Sequence, residues 1–376
     1  MTENEIRVTR SSIPPLDEYI AEIAPLWESH VLTNMGEKHR EFEQMLRVQL
    51  HTPNVALFVN GHAALECALK VSGLHGKVIT TPFTFPSTVH AIVRQGLEPV
   101  FADIKSDNFT IDPKSIETLI DASTCAIVPV HVYGNLCDVD AIQTIAGKYD
   151  LKVIYDAAHA FGVERHNPKT DQWESAASFG DMSMLSFHAT KPFNSVEGGA
   201  LCFRNPTLAE ELDQWKNFGI TGPESVEMVG GNAKMNELCA AMGICNLRHL
   251  DTQIEKRHAV AKRYWERLEG IPGIMLHRPP EGVRHNFAYF PVVFDPTTFG
   301  VTRDDVFEAL ATHDIFTRKY FYPLASDYAC YRGSFDSSET PVAREVASRV
   351  LTLPMYADLS LDDVDRVCKI VKECAR

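Results

Sequence analysis

Between about residues 55 and 205 the chain repeats one pattern: a short uninterrupted apolar run, a polar turn, then a helical stretch. The runs are Val55–Val59, Lys77–Thr80, Pro99–Asp103, Cys125–Val130, Val153–Tyr155 and Met182–Phe187. A strand with one face in water alternates apolar and polar residues. These runs do not, so the sheet they build is covered on both faces. Strands separated by helical stretches predict an α/β fold, with a mostly parallel sheet and helices on both faces. Helices are expected from Gly61 through Lys70, from the TPFTFPST turn to Gln95, and near the N-terminus at Asp17–Trp27 and Glu37–Leu50. The remainder reads differently: a long polar helix at Asn246–Glu269, a strand at Phe287–Phe294, a helix at Arg303–His313 and two C-terminal helices. The expected division is a large domain over residues 1–249, including the N-terminal helices, and a smaller C-terminal α+β domain over residues 250–376.

Composition narrows the class. The formal net charge of −14 argues against a nucleic-acid binder or an anionic-membrane binder. The nine cysteines form no CxxC pair, which reads as reduced thiols in a cytoplasmic protein, and no metal centre is expected. The opening residues lack an apolar signal core and no apolar run reaches membrane-spanning length, so a soluble protein is expected.

Ligands of open α/β sheets sit at the carboxyl ends of the strands. Four polar features fall there. In VNGHAAL, Val59 to Leu65, Gly61 opens a helix whose first amides can bind a phosphate. In TPFTFPST, Thr81 to Thr88, Phe85 stands just past a strand end, where a ring can stack on a flat ligand or fill the core. In VIYDAAHAFG, Asp156 ends an apolar strand, where a carboxylate needs a partner; a protonated ring nitrogen is one, a helix cap another. In SMLSFHATKPFNSVEGGAL, Ser186 ends a strand, Lys191 follows in a short polar turn, and Glu197-Gly198-Gly199 turns back into another strand. A lysine in a partly buried loop can form a Schiff base with an aldehyde; a lone lysine is otherwise a solvated surface residue.

These motifs resemble the DegT/DnrJ/StrS family of sugar aminotransferases, with the fold-type-I architecture. The resemblance rests on S-F-H-x-T-K…E-G-G (Ser186–Gly199), D-A-A-H-A-F-G (Asp156–Gly162), G-N-x-K-M-N-E (Gly231–Glu237) and RKYFYPL (Arg318–Leu324). It implies pyridoxal 5'-phosphate (PLP) as cofactor, with Lys191 as the Schiff-base lysine and Asp156 on the pyridinium nitrogen. It places His159 by the phenolic oxygen or ring face and Phe85 on the ring. Gly61, His62 and Ser186 would hold the phosphate. Asn232 and Lys234 match a loop that reaches the phosphate from a neighbouring subunit, which implies a homodimer with shared sites. The chain departs from the common pattern in having Asn60-Gly61-His62 for S-G-T, His159 for Gln and Lys234 for Arg.

The implied reaction is transfer of an amino group from glutamate, which leaves 2-oxoglutarate, to a nucleotide-linked keto sugar. The lysine motif, with His188, looks most like the branch that makes dTDP-4-amino-4,6-dideoxyglucose from dTDP-4-keto-6-deoxyglucose. A 3-keto sugar nucleotide is the alternative acceptor. Arg318, Lys319 and Tyr322 are candidates for the substrate side. Three other readings fit less well. A fold-type-I lyase needs an active-site cysteine in a mobile loop. A PLP-fold sugar-nucleotide sensor that is not an enzyme predicts loss of the lysine or aspartate. A nicotinamide-binding protein needs G-x-G-x-x-G after the first strand.

Overall fold

In the computed structural model, residues 5–375 are described; the first four residues and the last lie outside them. The expected large sheet is present, with seven strands. They are β1 (Val55–Phe58), β2 (Lys77–Thr80), β3 (Glu98–Phe101), β4 (Thr124–Ile127), β5 (Lys152–Asp156), β8 (Met182–Ser186) and β9 (Gly199–Phe203). A hairpin of β6 (Glu164–Asn167) and β7 (Gln172–Ser175) intervenes. The strand order is β1-β9-β8-β5-β4-β2-β3. The pairs β2·β3, β2·β4, β4·β5 and β5·β8 are parallel, and β9 runs antiparallel to both β1 and β8. The fold class is therefore α/β with a mostly parallel sheet, as the uninterrupted apolar runs require.

Three helices precede the sheet: α1 (Leu16–Ile23), α2 (Leu26–Ser29) and α3 (Glu37–Gln49). Both faces of the sheet are covered. Helix α4 (Gly61–Val71) and helix α5 (Pro86–Arg94) pack one side through Leu65, Ala68 and Ile92 against Phe58, Val78 and Met184. On the other side, α3 and the helix Glu237–Arg248 meet Leu57, Leu185 and Phe187 through Phe42 and Ile244. Beyond the large sheet, β10 (Ile220–Gly222) and β11 (Ser225–Val226) form a short hairpin. A separate antiparallel sheet of β12 (Ile274–Leu276), β14 (Phe290–Phe294) and β15 (Val350–Leu353) carries the helices Leu250–Leu268 and Leu361–Cys374, with its own core around Tyr264, Val292 and Val367. Strand β13 (Val283–Arg284) joins the β6–β7 hairpin.

Three expected elements are interrupted. The long polar helix is two helices, Glu237–Arg248 and Leu250–Leu268, which break at His249 where the backbone leaves helical geometry at φ −105°, ψ 2°. The first N-terminal helix stops at Ile23 and restarts after Pro25 as α2, because proline cannot donate within a helix. The strand expected from Phe287 begins only at Phe290, since Phe287 has a left-handed φ of 50°. No helix among the described residues is long and apolar enough to cross a membrane. The nine cysteines are all free, and Cys67, Cys137, Cys202, Cys245 and Cys368 are buried.

Candidate active site

A cavity of about 700 Å³ opens at the carboxyl ends of β1, β2, β5 and β8. Its wall includes Gly61, Phe85, Asp156, His159, Ser186 and Lys191, contributed by four separate stretches of chain. Each of the four strand-end motifs therefore reaches one space.

Asp156 is the last residue of β5 and is buried. Its Oδ2 accepts a hydrogen bond from the Thr88 hydroxyl at 2.7 Å, and Oδ1 accepts the Ala158 N–H at 3.1 Å. Burial pushes the carboxyl above its ordinary range; the Thr88 and Ala158 donors pull against it, as does the charge of Lys191. Thr88 itself is completely buried and paired with Thr84 at 2.8 Å, so Thr84–Thr88–Asp156 is a short chain of hydroxyls ending on the carboxylate.

Lys191 follows β8 in a turn closed by its own N–H, which donates to the His188 carbonyl. Its Nζ stands 3.4 Å from the Tyr289 hydroxyl, and burial pushes its pKa down to about 8, against the opposing pull of Asp156 and Tyr320. An amine with that pKa is partly neutral near pH 7, the form that attacks a carbonyl. His159 is buried and receives the Tyr133 N–H on Nδ1 at 3.1 Å. Burial holds its pKa well below the ordinary value, so the ring is neutral and its proton sits on Nε2. The ring stacks on Phe321, with centroids 5.9 Å apart.

The glycines of the motifs have a packing cause. A Cβ on Gly199 would lie 2.4 Å from the Gly61 nitrogen, and one on Gly61 would lie 2.9 Å from Met184 Sδ. The start of α4 can press against the ends of β8 and β9 only if both positions lack a side chain. Asn60 caps that helix, its Oδ1 accepting the Ala63 N–H at 2.8 Å. The N–H groups of Gly61 and His62 precede the first intrahelical bond and face the cavity end of the helix. Phe85, 52% exposed, lines the same cavity from the start of α5.

The remaining candidates divide. His188 and Arg318 line the cavity, His188 bonded to Thr190 and Arg318 resting over the Tyr320 ring. Lys319 does not: its ammonium pairs with Asp304 at 2.6 Å. Tyr322 also lies outside the wall, against the Arg303 guanidinium. Asn232 and Lys234 are likewise outside the cavity of their own chain, Lys234 bonding Asn217 Oδ1 at 2.6 Å. Three wall or supporting residues are not among the sequence candidates: Thr88, Tyr289 and Tyr320. Thr88 and Tyr320 fall inside the motifs TPFTFPST and RKYFYPL; Tyr289 carries no signal at all.

The arrangement fits PLP on the chain's own terms: a buried carboxylate without an ion-pair partner among the described residues, an amine of lowered pKa, an open aromatic face and a free helix start in one cavity. Comparison with known proteins agrees. The chain is 42% identical to a dTDP-4-amino-4,6-dideoxy-D-glucose transaminase of Shigella dysenteriae over 371 residues, 99% of each protein. It is 39% identical to a transaminase of the same description from Escherichia coli over 373 residues, again 99% of each. The structure of DesI in the presence of its TDP-sugar product superposes with a TM-score of 0.93 at 32% identity, covering 99% of this chain and 93% of that one. Helicobacter pylori PseC, an aminotransferase of pseudoaminic acid biosynthesis, gives a TM-score of 0.90 at 26% identity over 99% of both chains. Residues 16–372 match the DegT/DnrJ/EryC1/StrS aminotransferase family, and the chain belongs to it.

Proposed function

We propose that this chain moves an amino group from glutamate to C4 of dTDP-4-keto-6-deoxyglucose, with PLP held in the cavity around Lys191 and Asp156. The observation that carries the reading is the shared space of those two residues, a buried carboxylate with no ion-pair partner among the described residues and an amine of lowered pKa. PLP supplies an aldehyde for that amine and an electron sink for the donor's α-carbon.

The protein's own groups do the rest. Asp156, whose carboxylate accepts from Thr88 and the Ala158 N–H, would hold a proton on the ring nitrogen. Lys191 Nζ would be the amine that bonds the cofactor's aldehyde and the base that would move the proton of the donor's α-carbon. Tyr289 stands ready to orient that amine. His159 offers its Nε2–H and Phe85 its ring face to the cofactor. Gly61 and Ser186 would hold the phosphate, and Arg318 is a cation at the cavity wall suited to a nucleotide diphosphate.

The site is completed by a second copy of the chain. Asn232 and Lys234 sit on a loop that also exposes Phe218, Val226 and Val229, the last 88% exposed, an arrangement suited to burial against a partner. We further infer a cytoplasmic protein with a PLP-binding domain over residues 1–249 and a smaller domain over residues 250–376. The 4-keto acceptor is tested by incubating the enzyme with glutamate and 3-keto and 4-keto dTDP- and UDP-sugars. NMR should place the new amine on C4; an amine on C3 rejects the assignment.

A further inference from the structure

The chain lacks the hydroxyl that S-G-T would place after Gly61, and His62 stands there instead. His62 is half-buried at the cavity wall, with both ring nitrogens beside polar side chains. Its Nδ1 lies 2.9 Å from Ser87 Oγ, and its Nε2 lies 3.4 Å from Glu66 Oε1. Glu66 is buried, and the same Oε1 also accepts from the Arg94 guanidinium. Two helices are thereby tied twice: His62 of α4 meets Ser87 of α5 at their cavity ends, and Glu66, one turn on in α4, meets Arg94, the last residue of α5. Gly61, His62, Ser87 and Ser186 share the cavity wall.

We propose that Ser87 is a phosphate ligand of this chain, and that His62, braced by Glu66 and Arg94, is the residue that positions it. This rests on the reading that PLP lies with its phosphate at the start of α4. Ser87 then restores from α5 the hydroxyl that α4 lacks.

Donor accounting supports the arrangement. Burial pushes the Glu66 carboxyl up, but the hydrogen bonds and charges of His62 and Arg94 outweigh it and keep the group below its ordinary range. An ionised Glu66 only accepts, so His62 Nε2 carries a proton. Where Nδ1 donates to Ser87 Oγ, the Ser87 hydroxyl is free to donate outward to a phosphate. The other charged or titratable groups toward His62 are His90 on α5 and Asp156 at the end of β5.

The test compares the affinity of apoenzyme for PLP and for pyridoxal, which lacks the phosphate, by fluorescence titration. The ratio of the two dissociation constants isolates the phosphate. Ser87→Ala should lower that ratio by about tenfold or more, as loss of a hydrogen bond to a charged group gives. Pyridoxal affinity should be unchanged, which also shows the site is intact. His62→Ala should lower the ratio similarly, the double variant no further than either single one, and Ser87→Thr should keep it. An unchanged ratio in Ser87→Ala, or single losses that multiply in the double variant, overturns the proposal. A wild-type protein that binds PLP no better than pyridoxal removes the phosphate reading beneath it, a failure visible in the unmodified enzyme.

Discussion

Two parts of the molecule carry the functional candidates, and they are built differently. At the strand ends of the large sheet, Asp156, Thr88 and His159 are buried, and each has its hydrogen-bond partner within the same chain. In the stretch from Asn217 to Lys234, the β10–β11 hairpin stands in solvent with apolar side chains outward. There Lys234 is bonded to Asn217 and stacked over Phe218. The first region is preorganised by the packing of one chain. The second has its polar groups parked against one another and its apolar groups uncovered. A single fold thus completes the first region, while the second leaves an apolar surface open on which the proposed second copy would bear.

The largest effect should come from the region that is complete. Lys191→Ala removes the amine proposed to bond the aldehyde and move the proton, and turnover should fall by about a thousandfold or more, within the range for loss of a positioned base. Borohydride reduction of the wild-type holoenzyme and peptide mapping should find the pyridoxyl group on Lys191. A label on another lysine would remove Lys191 from its role.

Asp156→Asn comes next. The amide keeps the shape but cannot hold the ring nitrogen's proton, and turnover should drop by about a hundredfold, as loss of a preorganised charge typically gives. PLP should remain bound. Near-normal turnover with bound PLP contradicts the role.

Thr88→Val sharpens the same region with a smaller effect. It deletes the donor that favours the anionic form of Asp156 while burial, the dominant influence, still favours the neutral form. The carboxyl pKa therefore rises further, and the acid limb of the kcat profile should move to higher pH by about one unit, equivalent to about 1.4 kcal/mol. Thr88→Ser should restore the limb. A limb that stays in place, with turnover lost equally at every pH, would make Thr88 a packing residue only.

Much of the strand-end region is legible in the amino-acid sequence alone. Asp156 closes an apolar strand and Lys191 follows another, so the run pattern itself marks where a ligand sits. Other features escape such a reading because their cause is tertiary. Tyr289 reaches Lys191 across 98 residues of sequence. The β6–β7 hairpin begins with Glu164-Arg165-His166-Asn167, which has neither apolar continuity nor clean alternation. The helix break at His249 has no glycine or proline to announce it. Arg318 and Lys319 look equivalent as a basic pair, yet neighbours in extended chain point to opposite sides, and only Arg318 faces the cavity.

The last test bears on the incomplete region and predicts recovery rather than loss. Lys191→Ala and the double variant Asn232→Ala with Lys234→Ala are each prepared as homodimers, the first inactive and the second weakened in PLP binding. A phosphate dianion needs several donors. The cavity wall of one chain offers the helix start and hydroxyls, while Asn232 and Lys234 lie outside it. If those two residues serve the partner's site, a mixed dimer holds one site with every lesion and one site with none. Co-refolding the two variants should then restore about half of the wild-type activity to each heterodimer, as two-fold symmetry requires. If they serve their own chain, each site of the mixed dimer keeps one lesion, and mixing yields nothing beyond the residual activity of the weaker defect. Because both parents are defective, a gain on mixing has no source other than an intact site assembled from two chains.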